Sequence, residues 1–321
     1  MIVKQDQLNA RLDDLSKTME VFAPVRERGR VYFRTVRSSG EIAWDYGVSV
    51  NSIKECFLPP RQVFLRYTSG GFETVPVANG RPRLVFLARP CDARGVTIMD
   101  KVFLGDRPDE TYAALRERTT IVGLACDRPD EHCFCTSVGG SPAGTEGMDA
   151  ALIPMGDGSY DLKVLSDKGR AVFPDAPADD GAIPEEFVRK AEAAVRRTVT
   201  IPETLRDSFG SDYWREVSQS CLKCGACAHL CPTCHCFDIV EEGDCRVRCW
   251  DYCQSDTFTK AAAGHDHRGA KFSRCRQRVY HKFDYYPENF GIVACVGCGR
   301  CARHCPVNSG ISDLINGLNE R

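Results

Sequence analysis

Long apolar runs are missing from this sequence. No stretch approaches the roughly 20 apolar residues that cross a bilayer as a helix, so no transmembrane helix is expected. An excess of one charge is also missing. Lys and Arg number 42 against 44 Asp and Glu, a net charge of −2, which leaves no electrostatic footprint for nucleic acid. The first residues, MIVKQDQLNARLDD, lack a basic segment followed by an apolar one, so no signal peptide is expected and a cytoplasmic location follows. No G-x-G-x-x-G follows a strand, and no G-x-x-x-x-G-K-[ST] or nucleophile elbow occurs. Neither flavin nor NAD is therefore expected on this chain, and no catalytic residue can be named. Cys-Cys dipeptides are absent too, which counts against a heterodisulfide-reducing cluster. The first 200 residues hold only five cysteines, Cys56, Cys91, Cys126, Cys133 and Cys135.

What the chain has in abundance is cysteine further on. Of 19 in 321 residues, fourteen lie between Cys221 and Cys305. Without a secretory signal they read as metal ligands in a reducing compartment, not as disulfides. They also suggest an anaerobic or low-oxygen host. The compositional shift places a boundary near residue 200. Residues 1–200 are expected to form a mixed α/β domain, and 201–321 an α-helical, ferredoxin-like domain with two [4Fe–4S] clusters. The fold class is α+β.

Two runs carry the chemistry, CLKCGACAHLCP (221–232) and CVGCGRCARHCP (295–306). Each is C-x2-C-x2-C-x3-C-P. Three closely spaced thiolates grip three corners of a cubane, and the cysteine before proline reaches the other cubane. Crossed ligation assigns Cys221, Cys224, Cys227 and Cys305 to one [4Fe–4S] cluster. Cys295, Cys298, Cys301 and Cys231 take the second. A pair of structural zinc sites does not require this spacing.

A third constellation is Cys91, Cys126, Cys133 and Cys135. RLVFLARP (83–90) and TTIVGLAC (119–126) read as buried parallel strands, and ligand sites lie beyond the carboxyl ends of such strands. A helix starting at Asp92 would favour a Cys91 thiolate. These four residues are candidates for a third [4Fe–4S] cluster, with Asp92 as a substitute ligand; zinc or reduced core cysteines are the alternatives. Of the rest, Cys234 and Cys236 are expected to line the first run's pocket as buried thiols. Cys245, Cys249 and Cys253 have x3 spacing suited to one helical face, or with Cys275 to another metal site. His265, His267 and His281 are expected to hydrogen-bond rather than ligate. Lys223, Arg300 and His304 sit among the ligands, where positive charge raises a cluster's potential unless it is solvated.

Other expected elements are helices over 5–18, 109–118, 184–199, 253–263 and 272–281, strands over 31–37, 62–67 and 72–77, and a hairpin over 148–166 turned at 156–159. Residues 166–184, rich in Pro, Asp and Gly, read as a surface loop.

With these motifs in view, nearly the whole chain resembles a known family. RPCDARG, CDRPDEHCFC, CLKCGACAHLCPTCHCFD, RCWDYC, HKFDYYPENFG and CVGCGRC are similar to the iron–sulfur beta subunit of cytoplasmic sulfhydrogenases and the A subunit of anaerobic sulfite reductase. Such subunits also accompany flavin oxidoreductases coupled to heterodisulfide reductases. Cys245, Cys249 and Cys275 look additional to that pattern. The resemblance implies a relay subunit. It would pass single electrons between a flavin/NAD(P)-binding oxidoreductase subunit and a terminal hydrogenase, sulfite reductase or heterodisulfide reductase subunit. The alternative is a self-contained reductase of sulfur species or disulfides that uses the extra cysteines.

Overall fold

The computed structural model describes residues 1–76, 80–177, 181–203 and 205–320. Among them are strands β1 (Ile2–Lys4), β2 (Glu20–Glu27), β3 (Arg30–Val36), β4 (Arg61–Thr68), β5 (Gly71–Thr74), β6 (Arg83–Ala88), β7 (Thr119–Leu124), β8 (Ala150–Pro154), β9 (Ser159–Val164), β10 (Phe237–Glu242) and β11 (Cys245–Trp250). A seven-stranded sheet has the order β1-β9-β8-β7-β6-β2-β3. Its middle, β2, β6, β7 and β8, is parallel, and antiparallel pairs close both edges. β6 and β7 are buried along almost their whole length, as continuous apolar runs in a parallel sheet must be. Because they run the same way, Cys91 and Cys126 leave the sheet at one edge.

The helix after β6 spans Pro90–Phe103, two residues earlier than expected from Asp92. Proline suits the first helical position, where its missing N–H leaves no bond unmade. Cys91 is therefore inside the first turn. The helices Gln5–Leu15, Glu110–Glu117, Glu185–Ala193 and Lys271–Tyr280 match expected segments in part or whole. In the expected loop 166–184 a short helix, Asp167–Val172, is capped by the Ser166 hydroxyl; residues 178–180 of that loop lie outside the described ones. So does Val77 at the end of the expected strand 72–77, of which Gly71–Thr74 pairs as β5.

Two expectations after residue 205 are corrected. No helix covers 253–263, where Asp251, Ser255, Thr257 and Gly264 build turns. Nor are helices the only elements there, since β10 and β11 form a hairpin turned at Gly243. CRVRC alternates cysteine or valine with arginine, as suits a strand half exposed to solvent, whereas FDIVEE is exposed or half-buried throughout. β11 then pairs with β4, giving a second sheet of order β10-β11-β4-β5. This sheet crosses the boundary expected near residue 200. Packing crosses it as well. Phe134 and Val138 share a core with Trp214, Val279 and Leu314, and Ile98 packs with Tyr286 and Ala294.

Candidate metal centres

Cys221, Cys224, Cys227 and Cys305 line one pocket, closed by Gln254, Pro306 and Val307. Short helices Ala226–His229 and Arg300–Arg303 follow the two runs, each entered through a glycine, Gly225 at φ +75° and Gly299 at φ +70°. Only glycine takes that left-handed turn without strain. The two helices pack together, which carries each Cys-Pro cysteine across to the other run. Cys231 accordingly lies beside Cys295, Cys298 and Cys301. Backbone amides point at the sulfurs: Lys223 N–H at Cys221 (3.4 Å), Gly297 N–H at Cys295 (3.5 Å) and Ser309 N–H at Cys305 (3.1 Å). Donors so placed stabilise anionic thiolates.

Cys91, Cys126, Cys133 and Cys135 converge on a third pocket, whose wall includes Gly297 and Cys298 of the second run. The Cys133 Sγ is 3.8 Å from the Cys298 carbonyl, and Phe134 N–H donates to Gly297 O at 2.8 Å. Gly297 is required here. A β-carbon on it would stand 2.5 Å from the backbone nitrogen of Cys135. Asp92 is absent from this pocket. It is fully buried and pairs with Arg300 at 2.8 Å, so the substitute-ligand expectation is not supported. Burial pushes Cys133 and Cys135 up to about 12, and burial with Asp92 raises Cys91 too.

Of the three cations noted among the motifs, Arg300 is fully buried. Lys223 pairs with Asp256, and burial lowers His304 below the ordinary histidine value. Sequence reasoning missed the cations that matter more. Arg274, Arg278 and Lys282 follow one another at four-residue spacing, all buried. Spacing by four on an expected helix places side chains on one face, and that was the legible signal. Arg274 meets the Asp266 carboxylate at 2.5 Å. Arg278 faces Cys227 and Cys301, one from each run. Lys282 Nζ reaches Thr233 Oγ1 and Ala294 O at 2.9 Å and Cys231 Sγ at 3.5 Å. Burial alone would discharge Lys282, but the Cys231, Cys234 and Cys295 sulfurs outweigh it and hold its pKa above the ordinary lysine value.

The remaining cysteines separate. Cys245 and Cys249 lie on β11 opposite Arg66 and Arg61, so the helical-face expectation is corrected. Cys275 is buried near Cys221 and Cys227, and Cys56 is a buried core thiol. His265 and His267 contact each other ring to ring, and His281 packs on His235 and Tyr286. Among the described residues no three His, Cys, Asp or Glu side chains close tightly enough around a single metal ion. The cages' all-sulfur donor sets, amide donors and buried cations fit anionic iron–sulfur clusters.

Comparison with known proteins bears on the two carboxy-terminal runs and on the family. The family model described as a 4Fe-4S dicluster domain matches residues 220–309, supporting two [4Fe–4S] clusters. The chain is similar to Sulfhydrogenase 2 subunit beta of Pyrococcus furiosus, at 32% identity over 307 residues, covering 91% of this chain and 90% of that one. No solved structure matches.

Proposed function

Because the chain belongs to the sulfhydrogenase beta subunit family of dicluster iron–sulfur proteins, we propose that it is the middle of an electron path, lying between a flavin/NAD(P)-binding subunit and a terminal catalytic subunit. That it is an iron–sulfur electron-transfer subunit follows from the family. The partners are the inference. The name of the Pyrococcus furiosus relative favours a hydrogenase as the terminal subunit over a sulfite or heterodisulfide reductase. No helix is long and apolar enough to cross a membrane among the described residues, consistent with a complex in the cytoplasm.

In this reading Cys221, Cys224, Cys227 and Cys305 hold one [4Fe–4S] cluster, and Cys295, Cys298, Cys301 and Cys231 hold the second. Cys91, Cys126, Cys133 and Cys135 hold a third. Such clusters, when bound, exchange single electrons with little change in geometry. The chain's own residues set the order of the path. One observation carries it: the pocket of the third cysteine group is walled by Cys298 of the second run. The second run in turn shares Arg278 with the first. The three cages therefore form a continuous row, from the edge of the large sheet to the Cys221 loop. Arg278 and Lys282 supply positive charge where an added electron would sit, which favours the reduced state.

Iron and acid-labile sulfide counts on anaerobically purified full-length chain test this. Cys133→Ser should lose about four irons and four sulfides, and the wild type should bleach in the visible on reduction. Unchanged iron in Cys133→Ser and Cys91→Ser would remove the third cluster. Crossed ligation predicts that Cys305→Ser abolishes the same electron paramagnetic resonance signal as Cys224→Ser. If Cys305→Ser instead matched Cys298→Ser, the assignment would be wrong.

A further inference from the structure

A cavity of about 560 Å³ opens beside the cages, and no cysteine lines it. Its walls come from parts of the chain far apart in sequence. Arg26 and Arg30 stand on either side of the β2–β3 turn, where Arg28 and Gly29 take left-handed conformations at φ +50° and +76°. The segment from Asp45 to Val48 forms a second wall. Arg128 and Asp130 come from the loop between Cys126 and Cys133, and Arg303 and His304 from the second run.

Charge in this cavity does not cancel. Arg128 is held by Asp45 at 2.8 Å and Asp127 at 3.5 Å, and Arg303 by Asp130 at 2.5 Å. Among the described residues Arg26 reaches only a carbonyl, that of Asp45 at 2.6 Å, and the Arg30 guanidinium meets no acceptor. Both guanidiniums are thus left without a carboxylate. On the inner wall, Arg303 Nη1 and His304 Nε2 are buried with no hydrogen-bond partner. Water satisfies an exposed arginine. A buried donor without an acceptor costs stability until something supplies one. The chain as a whole carries a net charge of −2, so the positive excess is local.

We propose that this cavity binds a phosphate monoester of about the size of a mononucleotide. A guanidinium fork matches two phosphate oxygens at once. A phosphate monoester carries about −1.5 to −2 at pH 7, which balances Arg26 and Arg30 together, whereas a single carboxylate balances one of them. Cavities of roughly 300–1,000 Å³ take small-molecule ligands, and inorganic phosphate would leave most of this one empty. The concave shape favours a small molecule over an acidic protein surface, which a flat basic patch would suit. Arg303 and His304 lie between Cys301 and Cys305, so the bound group would rest against the second run without entering a cage. The site uses none of the cage cysteines and stands whether or not the electron path does.

Calorimetry at low salt on the full-length, anaerobically purified chain tests this. The probes are inorganic phosphate, ribose 5-phosphate and AMP, with adenosine as the uncharged control. AMP and ribose 5-phosphate should saturate one site, more tightly than inorganic phosphate, and adenosine should not bind. Arg26→Gln/Arg30→Gln, with iron content and melting unchanged, should weaken AMP at least about a hundredfold, since each charge-assisted contact is worth roughly tenfold or more. Arg37→Gln, an exposed arginine outside the cavity, should leave AMP binding as it is. The proposal fails if none of the three phosphates saturates, if adenosine binds as tightly as AMP, or if Arg37→Gln weakens binding as much as the double variant. Saturable binding of a hexaglutamate peptide without binding of AMP would make the cavity part of an acidic partner's docking surface, and overturns it too. Where the substitutions disturb folding, the wild type decides: inorganic phosphate should displace AMP, and failure to do so removes the site.

Discussion

Asp92→Ala is the sharpest test of how the third cysteine group is joined to the second run. Asp92 and Arg300 are both fully buried and meet at 2.8 Å. Arg300 also donates to Ser49 O at 2.9 Å and Ser49 Oγ at 2.8 Å. One residue follows Cys91 and the other lies between Cys298 and Cys301, so the pair bolts two cages together. Removing one partner of a buried pair strands the other charge and costs about 3–5 kcal/mol. With an unfolding entropy of about 2.1 cal/mol/K per residue, a chain of 321 residues loses roughly 4–8 °C in melting temperature. Arg300→Leu should cost a similar amount. The Asp92→Ala/Arg300→Leu double variant should cost clearly less than the sum, because neither charge is left alone. Anaerobic melting, followed by loss of visible absorption, reads all four proteins. Strictly additive losses, or a shift of about 1 °C or less in Asp92→Ala, would refute the reasoning.

Three further outcomes are expected. Lys282→Met removes a buried charge beside Cys231, worth about 2 kcal/mol at an effective dielectric near 20 and a separation of roughly 8 Å. That is roughly 90 mV for one electron, so voltammetry should show one cluster's potential lowered; an unmoved set of potentials would contradict it. Gly297→Ala forces a β-carbon onto the Cys135 backbone at φ +63°, costing at least about 2 kcal/mol. In the three-cluster reading proposed above, it should deplete the Cys133 cluster before the Cys224 one, as read by iron content. Asp266 is held below the usual carboxylate range by the Thr259 hydroxyl, the Arg268 amide and Arg274. A depressed folded pKa contributes stability above the unfolded carboxylate value of about 4, and that contribution disappears as pH falls through the folded pKa. Melting temperature should therefore drop in acid for the wild type and less steeply for Asp266→Asn, and parallel acid limbs would exclude the contribution.

The eight cysteines of the two C-x2-C-x2-C-x3-C-P runs were legible as candidates because their spacing is written locally, in turns that the chain itself enforces. Cys91 and Cys126 were legible for another reason. Continuous apolar runs mark parallel strands, and the ends of parallel strands lie together. The hairpin of β10 and β11 escaped notice because it exposes Asp238, Glu241, Glu242 and Arg246, on both faces of the ribbon, which dilutes the strand signal. Its existence depends on β4, nearly two hundred residues away, and no local pattern reports such a partner. The buried cations were half legible. The four-residue spacing of Arg274, Arg278 and Lys282 was visible, but burial of charge depends on thiols that only tertiary structure brings near. Asp92 misled because an acid in a first helical turn is ordinarily solvated; here Arg300 captures it.

The pairing of β4 with β11 sets a timetable for the nascent polypeptide. Arg61 finds its partner only when Cys249 has been made, so the smaller sheet cannot close while the amino-terminal half stands alone on the ribosome. Cys305 is made later still than Cys249, so the pocket it shares with Cys221, Cys224 and Cys227 cannot be complete when those three thiols first emerge.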